Sequence, residues 1–142
     1  MKMSLRNTRT GGVLERSVLP ALENGGYTYV TGTNVGKRPP GGGHKVDAIA
    51  TKDNQNILIS LKWQQDPGTA EQKIAYEIIC LVKALKDNED KYNTAYLVLG
   101  GEGWSLRDFY VEGGLNDYIV DAEKIKIVKL EKFIALANKS IL

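Results

Sequence analysis

Cysteine, histidine and long apolar runs are scarce in this 142-residue sequence, which has one cysteine and one histidine. A single thiol permits no internal disulfide and no zinc site built from several cysteines. The expected compartment is therefore a reducing cytosol, which for a phage protein is the cytoplasm of its host. No apolar run approaches the roughly 18–20 residues of a membrane-spanning helix, and no apolar stretch follows the first basic residues. We therefore expect no membrane partner and no secretory signal.

The composition is that of an ordinary soluble domain. Hydrophobic residues make up 42% of the chain and charged residues 25%, close to the average for soluble globular proteins. The length predicts one domain, residues 1–142, with one core. The net charge of +2 does not by itself indicate a nucleic-acid binder. Residues 1–73 hold ten Lys or Arg against six Asp or Glu, so the first half attracts phosphates weakly.

The spacing of apolar residues predicts a mixture of helices and strands. It favours helices over residues 10–24, 69–86, 105–110 and 131–138, and strands over 27–31, 45–51, 57–63, 94–99 and 125–128. The second and third strands form a hairpin with a loop of about five residues, and the glycine-rich segment 32–43 is predicted to be a loop. Pro20 is expected to end, kink or restart the first helix. Thr69 with Gln72 matches a capping box. The order predicts an α/β fold, a central mixed β-sheet flanked by helices with an αβββαβ core.

The predicted hairpin places charged side chains on an otherwise apolar sheet. Because side chains alternate across a strand, one face of the third strand is apolar and the other ends with Ser60, Lys62 and Gln64. On the second strand, Asp47 and Ile49 lie opposite the face that holds Val46, Ala48 and Ala50. If the register aligns the polar faces, Asp47 lies beside Ser60 and Lys62. A buried carboxylate and lysine are costly unless they pair or hold a metal, so the pattern indicates a structural ion pair or a site.

Two short motifs on this hairpin resemble those of a known enzyme family. Val46-Asp47 resembles a Pro-Asp pair with valine in place of proline. Ser60-Leu61-Lys62 resembles an acid-x-lysine motif with serine in place of the acid. Glu15 stands on the first helix, where many members carry a glutamate. Together with the order of elements over residues 12–100, these features are similar to the PD-(D/E)xK nuclease superfamily, and within it to restriction and homing endonucleases.

The resemblance implies a Mg²⁺-dependent DNA endonuclease, site-specific and of restriction or homing type, in which Mn²⁺ can replace Mg²⁺. It implies that Asp47 is the principal metal ligand, joined by the carbonyl of Leu61 and, directly or through water, by Glu15. It assigns Lys62 to the attacking water and Gln64 to a water or a phosphate.

The serine at position 60 leaves other functions open. Losing an acid from the motif removes a charge that would help to hold a second metal ion, so a site with one metal ion is compatible with the sequence. A catalytically inactive DNA-binding module on the same fold is an alternative. A Holliday-junction resolvase or repair nuclease is a further alternative within the superfamily.

Double-stranded DNA is the expected partner. The segment 32–43 is either a flexible connection or a loop that brings basic residues to DNA. The candidate contacts in this segment and directly after it are Lys37, Arg38, His44 and Lys45. Arg6 and Arg9 are candidates for a basic arm ahead of the first helix. A chain of this size carries one site, so cutting both strands requires a homodimer or homotetramer.

Overall fold

The computed structural model describes residues 10–142. The strands are β1 (Thr28–Lys37), β2 (Gly43–Lys52), β3 (Gln55–Trp63), β4 (Thr94–Gly100) and β5 (Ile125–Lys129). The α-helices are α1 (Leu19–Asn24), α2 (Ile74–Asp87), α3 (Arg107–Val111) and α4 (Leu130–Asn138). A π-helical turn, Leu14–Val18, precedes α1, and short 3-10 turns lie at Thr69–Lys73, Gly114–Asp117 and Ala122–Lys124. No helix in this part of the chain is long and apolar enough to cross a membrane.

The five strands form one mixed sheet in the order β1-β2-β3-β4-β5. The first three strands are antiparallel neighbours, and β4 and β5 continue the sheet parallel to β3. The C-terminal ends of β3 and β4 therefore lie at the same edge of the sheet as the N-terminal end of β2. This arrangement confirms the predicted α/β fold with a central mixed sheet flanked by helices.

Each face of the sheet is covered by helices, and the alternation of side chains supplies both cores. Leu58 and Leu97 point to one face, where they pack in the same cluster as Ile78 of α2. Their neighbours Ile59 and Val98 belong to the opposite cluster, which includes the residues that α1 and α4 contribute, among them Leu22 and Phe133. A sheet that is apolar on both faces explains why β3 and β4 are almost continuous runs of Ile, Leu and Val.

Pro20 lies in the first turn of α1, which directly continues a helical segment that begins at residue 10. Proline has no backbone N–H to donate, and in a continuous helix it is accommodated by a local change in winding. The preceding turn, Leu14–Val18, is wound as a π-helix. The first helix of the sequence prediction is therefore present, with the change in winding immediately before its proline.

The predicted long loop over residues 32–43 is wrong. Strand β1 continues to Lys37 and pairs with β2 along most of its length. Gly32 and Gly36 adopt positive φ angles of 59° and 129° within it, which glycine tolerates at little cost. The connection shrinks to a short tip closed by a hydrogen bond from Arg38 N to Gly42 O of 2.8 Å.

The turn between β2 and β3 is also tighter than predicted. The two strands pair as far as Lys52 and Gln55, which leaves a two-residue turn instead of about five residues. Asp53 and Asn54 both have positive φ, 52° and 65°. This is the combination that a type I′ hairpin turn requires, and Asp and Asn tolerate it better than most residues.

The helix that follows β3 begins differently from the prediction. The Thr69 and Gln72 capping box does not form, because the turn Thr69–Lys73 starts after Gly68 without a side-chain cap. Glu71, which lies between these two residues, caps a different element. Its Oε1 accepts hydrogen bonds from the backbone N–H groups of Ser105 and Leu106, immediately before α3. Its Oε2 accepts a hydrogen bond of 2.9 Å from the hydroxyl of the buried Tyr110. Burial and the Glu71 carboxylate raise the pKa of Tyr110 to about 12.

Replacing Glu71 with Ala is expected to lower the free energy of unfolding by about 1–3 kcal/mol, because the change removes the carboxylate that accepts hydrogen bonds from a buried hydroxyl and two backbone N–H groups. Urea unfolding of Glu71→Ala, Tyr110→Phe and the double variant measures the effect. The double variant should lose less stability than the sum of the two single losses, since both changes remove the same bond. Gln72→Ala, at an exposed position one residue away, is the control. Equal stability of Glu71→Ala and Gln72→Ala would contradict this role.

Candidate functional site

The candidate site lies where β2 and β3 stop pairing. Their backbone ladder runs from the hairpin turn to the pair of Ala48 and Ile59. Asp47 precedes Ala48, one residue beyond the end of this ladder. Its carboxylate accepts a 2.6 Å hydrogen bond from the backbone N–H of Leu61. The side chain of Asp47 is therefore held against the C-terminal end of β3. This placement agrees with the expectation that Asp47 lies beside the end of the third strand.

The alternation predicted for β2 is wrong at Val46. It was expected to share a face with Ala48 and Ala50, but Val46 packs with Ile49 and Leu58 in the cluster on the α2 side. Ala48 and Ala50 lie in the opposite cluster. The alternation therefore changes at Asp47, the point at which the ladder to β3 ends. Period-two patterning assumes a continuously paired strand, and that assumption fails here.

A second carboxylate, which the sequence analysis missed, reaches this place from α2. Glu77 Oε2 accepts a hydrogen bond of 2.8 Å from the hydroxyl of Ser60 and contacts His44 Nε2 at 3.2 Å. Both partners are buried, with 2% of Ser60 and 4% of His44 exposed. An ionised carboxylate only accepts hydrogen bonds, so His44 carries its hydrogen on Nε2. Ser60, which stands where the motif has an acid, thus holds an acid from the neighbouring helix.

One signal in the sequence could have revealed Glu77. Ile74, Ile78 and Leu81 define the buried face of α2, and Glu77 lies three residues after the first and four before the last. This spacing places its carboxylate on or beside the core-facing stripe of the helix. An acid at such a position requires a polar partner inside the protein, and the polar face of β3 is the nearest source of one.

The charge of Lys62 lowers the pKa of both carboxylates. Burial raises the pKa of Asp47 and the charge of Glu77 raises it further, whereas the N–H of Leu61 and the charge of Lys62 act to lower it, and the pKa remains above its ordinary value. For Glu77, burial is again the largest effect and raises the pKa, but the His44 hydrogen bond, the Lys62 charge and the Ser60 hydrogen bond together bring it below its ordinary value. When Asp47, Glu77 and Lys62 are all ionised, the net charge of these three groups is one negative charge.

The site opens into a groove of about 360 Å³. Its lining is rich in polar and basic groups: Asn34, Arg38, Gly43, His44, Lys45, Lys62, Tyr76 and Glu77. The Tyr76 hydroxyl donates a hydrogen bond to the carbonyl of Pro39, which connects α2 to the tip of the β1–β2 hairpin. The groove therefore combines the Glu77 carboxylate with Arg38 and Lys45, two cations that suit a phosphate backbone.

The structure separates the predicted DNA contacts into three groups. Arg38 and Lys45 are exposed and line the groove, and Lys37 is exposed at the end of β1. The side chain of His44 also lines the groove, but it is buried and its Nε2 is bonded to Glu77. Arg6 and Arg9 lie outside the described residues.

Two further predicted site residues are not brought to Asp47. Gln64 is buried, and its amide donates a hydrogen bond of 2.8 Å to the carbonyl of Gly103, so its side chain holds the segment after β4. A Cβ added at Gly101 would lie 2.4 Å from the carbonyl oxygen of Gln64, which shows how close the two segments approach. Glu15 is exposed on the π-helical turn, whose buried residues pack on the α1 and α4 side of the sheet. No hydrogen bond or ion pair connects Glu15 to Asp47 within residues 10–142.

The donor set fits a hard divalent cation. Within the described residues, no group of three or more Asp, Glu, His or Cys side chains forms a ready-made metal cluster. Mg²⁺ is usually held through one or two carboxylates and keeps several waters, which is what Asp47 and Glu77 can supply. The N–H and C=O of a strand residue face the same neighbouring strand, so the carbonyl of Leu61 is expected to face the same side as its N–H, toward Asp47. Oxygen donors of this kind suit Mg²⁺ and Mn²⁺.

Comparison with known proteins identifies the family of the chain. Residues 6–141 match the PD-(D/E)XK nuclease superfamily domain, and the chain belongs to that superfamily. Membership supports a nuclease, and nucleases of this superfamily usually use divalent metal ions. No curated protein matches the sequence. A solved structure described as a protein of unknown function, AF1548, is similar with a TM-score of 0.49 and 13% identity, covering 79% of this chain and 54% of that one. The chain thus spans about half the length of that protein.

Proposed function

We propose that this chain is a Mg²⁺-dependent DNA endonuclease that hydrolyses phosphodiester bonds in the groove between β2, β3 and α2, with Mn²⁺ able to replace Mg²⁺. One observation carries the proposal. The Ser60 hydroxyl holds Glu77 in place of the acid that the motif lacks, so the polar end of β3 has two carboxylates and a lysine whose charges influence one another.

In this proposal each residue of the groove has a distinct task. Asp47 and Glu77 bind the divalent ion, and the carbonyl of Leu61 is the third protein oxygen. A bound Mg²⁺ supplies Lewis-acid neutralisation of the scissile phosphate and lowers the pKa of a bound water. Lys62 orients the attacking water or takes its proton. Arg38 and Lys45 bind the phosphates on either side of the scissile bond.

The groove gives each subunit one site. Hydrolysis of both strands of a duplex at one position then requires two subunits, and a two-fold axis between them would match a two-fold symmetric target. We propose on this ground a homodimer or homotetramer and site-specific cleavage of the restriction or homing type.

Digestion of mixed plasmid and phage DNA tests the proposed reaction. The purified protein is incubated with Mg²⁺ or Mn²⁺, and a parallel sample contains EDTA. We expect products only with the metal, and discrete fragments if the enzyme is site-specific. A metal-dependent smear would support the nuclease but contradict sequence specificity.

Four-way junctions and linear duplexes of the same sequence form a second substrate pair. Preference for the junction would replace the restriction or homing assignment by a junction resolvase. If no DNA is cut with either ion, while DNA binding is present and weakens with salt, the chain is a binding module and the proposed activity is wrong.

A further inference from the structure

We infer that His44 is a positioning residue that fixes Glu77 for metal binding, an inference that rests on the proposed function. His44 stands on β2, three residues before Asp47, and its imidazole lies against α2. It therefore connects the strand that carries one proposed ligand to the helix that carries the other.

The hydrogen bonds leave one oxygen of Glu77 for the ion. Ser60 and His44 both bond to Oε2, and within residues 10–142 no hydrogen bond ends on Oε1. Glu77 lines the groove, so Oε1 is the oxygen that remains for an ion there. A free glutamate side chain would lose rotamer freedom on becoming fixed by the ion. Two donors on two strands fix it before the ion arrives.

The burial of His44 supports a role in orienting its partner. Its side chain is almost fully inaccessible, and a buried imidazole requires a hydrogen-bond partner. An apolar side chain would fill the same space, so packing alone does not explain a histidine here. Partners that orient metal-binding side chains typically contribute tenfold to hundredfold in metal affinity.

The dissociation constant of Mn²⁺, measured by electron paramagnetic resonance on the DNA-free protein, tests this inference. His44→Leu is expected to weaken Mn²⁺ binding by about tenfold to hundredfold. His44→Gln retains an N–H donor of similar reach and should bind within about threefold of the wild type. Should His44→Leu not fold, His44→Asn, whose amide is too short to reach Glu77, takes its place. Phe133→Leu, in the core on the other sheet face, should lose stability without losing Mn²⁺ affinity.

A double-mutant cycle distinguishes positioning from an independent effect. Because His44 acts through Glu77, His44→Leu should cause no further loss of Mn²⁺ affinity in a Glu77→Gln background. An equal loss in both backgrounds, or unchanged affinity in folded His44→Leu protein, would overturn the inference and leave the proposed function standing. If the wild type binds no Mn²⁺, the proposed metal-dependent function fails together with the inference.

Discussion

Replacing Asp47 with Asn is expected to abolish metal-dependent cleavage of DNA while the protein stays folded. Asn has nearly the same shape, and its amide oxygen can still accept the hydrogen bond from the Leu61 N–H. It lacks the charge that binds the ion. Metal-ion stabilisation of a transition state is worth several kcal/mol, and each 1.36 kcal/mol is a factor of ten in rate. The expected loss is therefore about a thousandfold or more.

The stability of Asp47→Asn should separate catalysis from folding. Since the pKa of Asp47 is raised in the folded protein, chiefly by burial, its ionised form destabilises the folded state near neutral pH. Removing the charge should leave the free energy of unfolding equal to that of the wild type or higher. Asp53→Asn makes the same chemical change at an exposed turn position with positive φ, and it should cut normally. Wild-type cleavage by Asp47→Asn would exclude this carboxylate as the metal ligand.

Replacing Lys62 with Met is expected to reduce the rate of cleavage by about a hundredfold to ten-thousandfold, the usual contribution of a group that transfers a proton in the reaction. Met keeps the length and apolar stem of the side chain. Binding of Mn²⁺ should be retained or become tighter, because a positive charge that interacts with both carboxylates has been removed. Single-turnover cleavage and Mn²⁺ titration of the same preparation measure the two effects.

Lys45→Met is the matched control for Lys62→Met. Lys45 lines the same groove but is exposed, so its expected role is to bind a phosphate. The variant should bind DNA more weakly, with the salt dependence of binding reduced by about one phosphate contact. The rate of the bound complex should be nearly unchanged. If the two variants lose DNA binding and turnover in the same proportion, Lys62 is another phosphate contact and not a group that acts on water.

The partnership of Asp47 with the end of β3 could be predicted because it depends on local rules. Alternation along β3 places Ser60 and Lys62 on one face, and the hairpin brings β2 beside them. A short turn keeps the register within a few residues, so the polar groups of neighbouring strands meet. The fold class follows from the same rules applied to each segment.

Glu77 and His44 could not be assigned in the same way because their contact is not local. They are separated by 33 residues, and their meeting depends on how α2 lies across the sheet. The resemblance implies Glu15 as a second carboxylate, because it stands on the first helix. The structure shows that this turn packs on the opposite face of the sheet, and the acid of α2 lies on the face where Ser60 needs a partner.

The glycine-rich segment shows a second limit. Composition predicts a loop over residues 32–43, because glycine and proline weaken strands. Pairing with β2 overrides that preference as far as Lys37. The consequence for the site is that Arg38 sits on a short tip, which Tyr76 connects to α2, and not on a long flexible connection.

The position of a bound Mn²⁺ ion in a crystal tests the proposed site most directly, and it requires no knowledge of the DNA target. Crystals of the wild-type protein would be soaked in MnCl₂, and diffraction data would be collected at the manganese edge. An anomalous difference map calculated from these data locates the ion. We expect a peak at the groove, about 2 Å from an Asp47 carboxylate oxygen and from Glu77 Oε1, the distance typical of small divalent cations. A peak held by Asp47 and Glu15 with Glu77 uninvolved, or ions bound only away from Asp47, would contradict it.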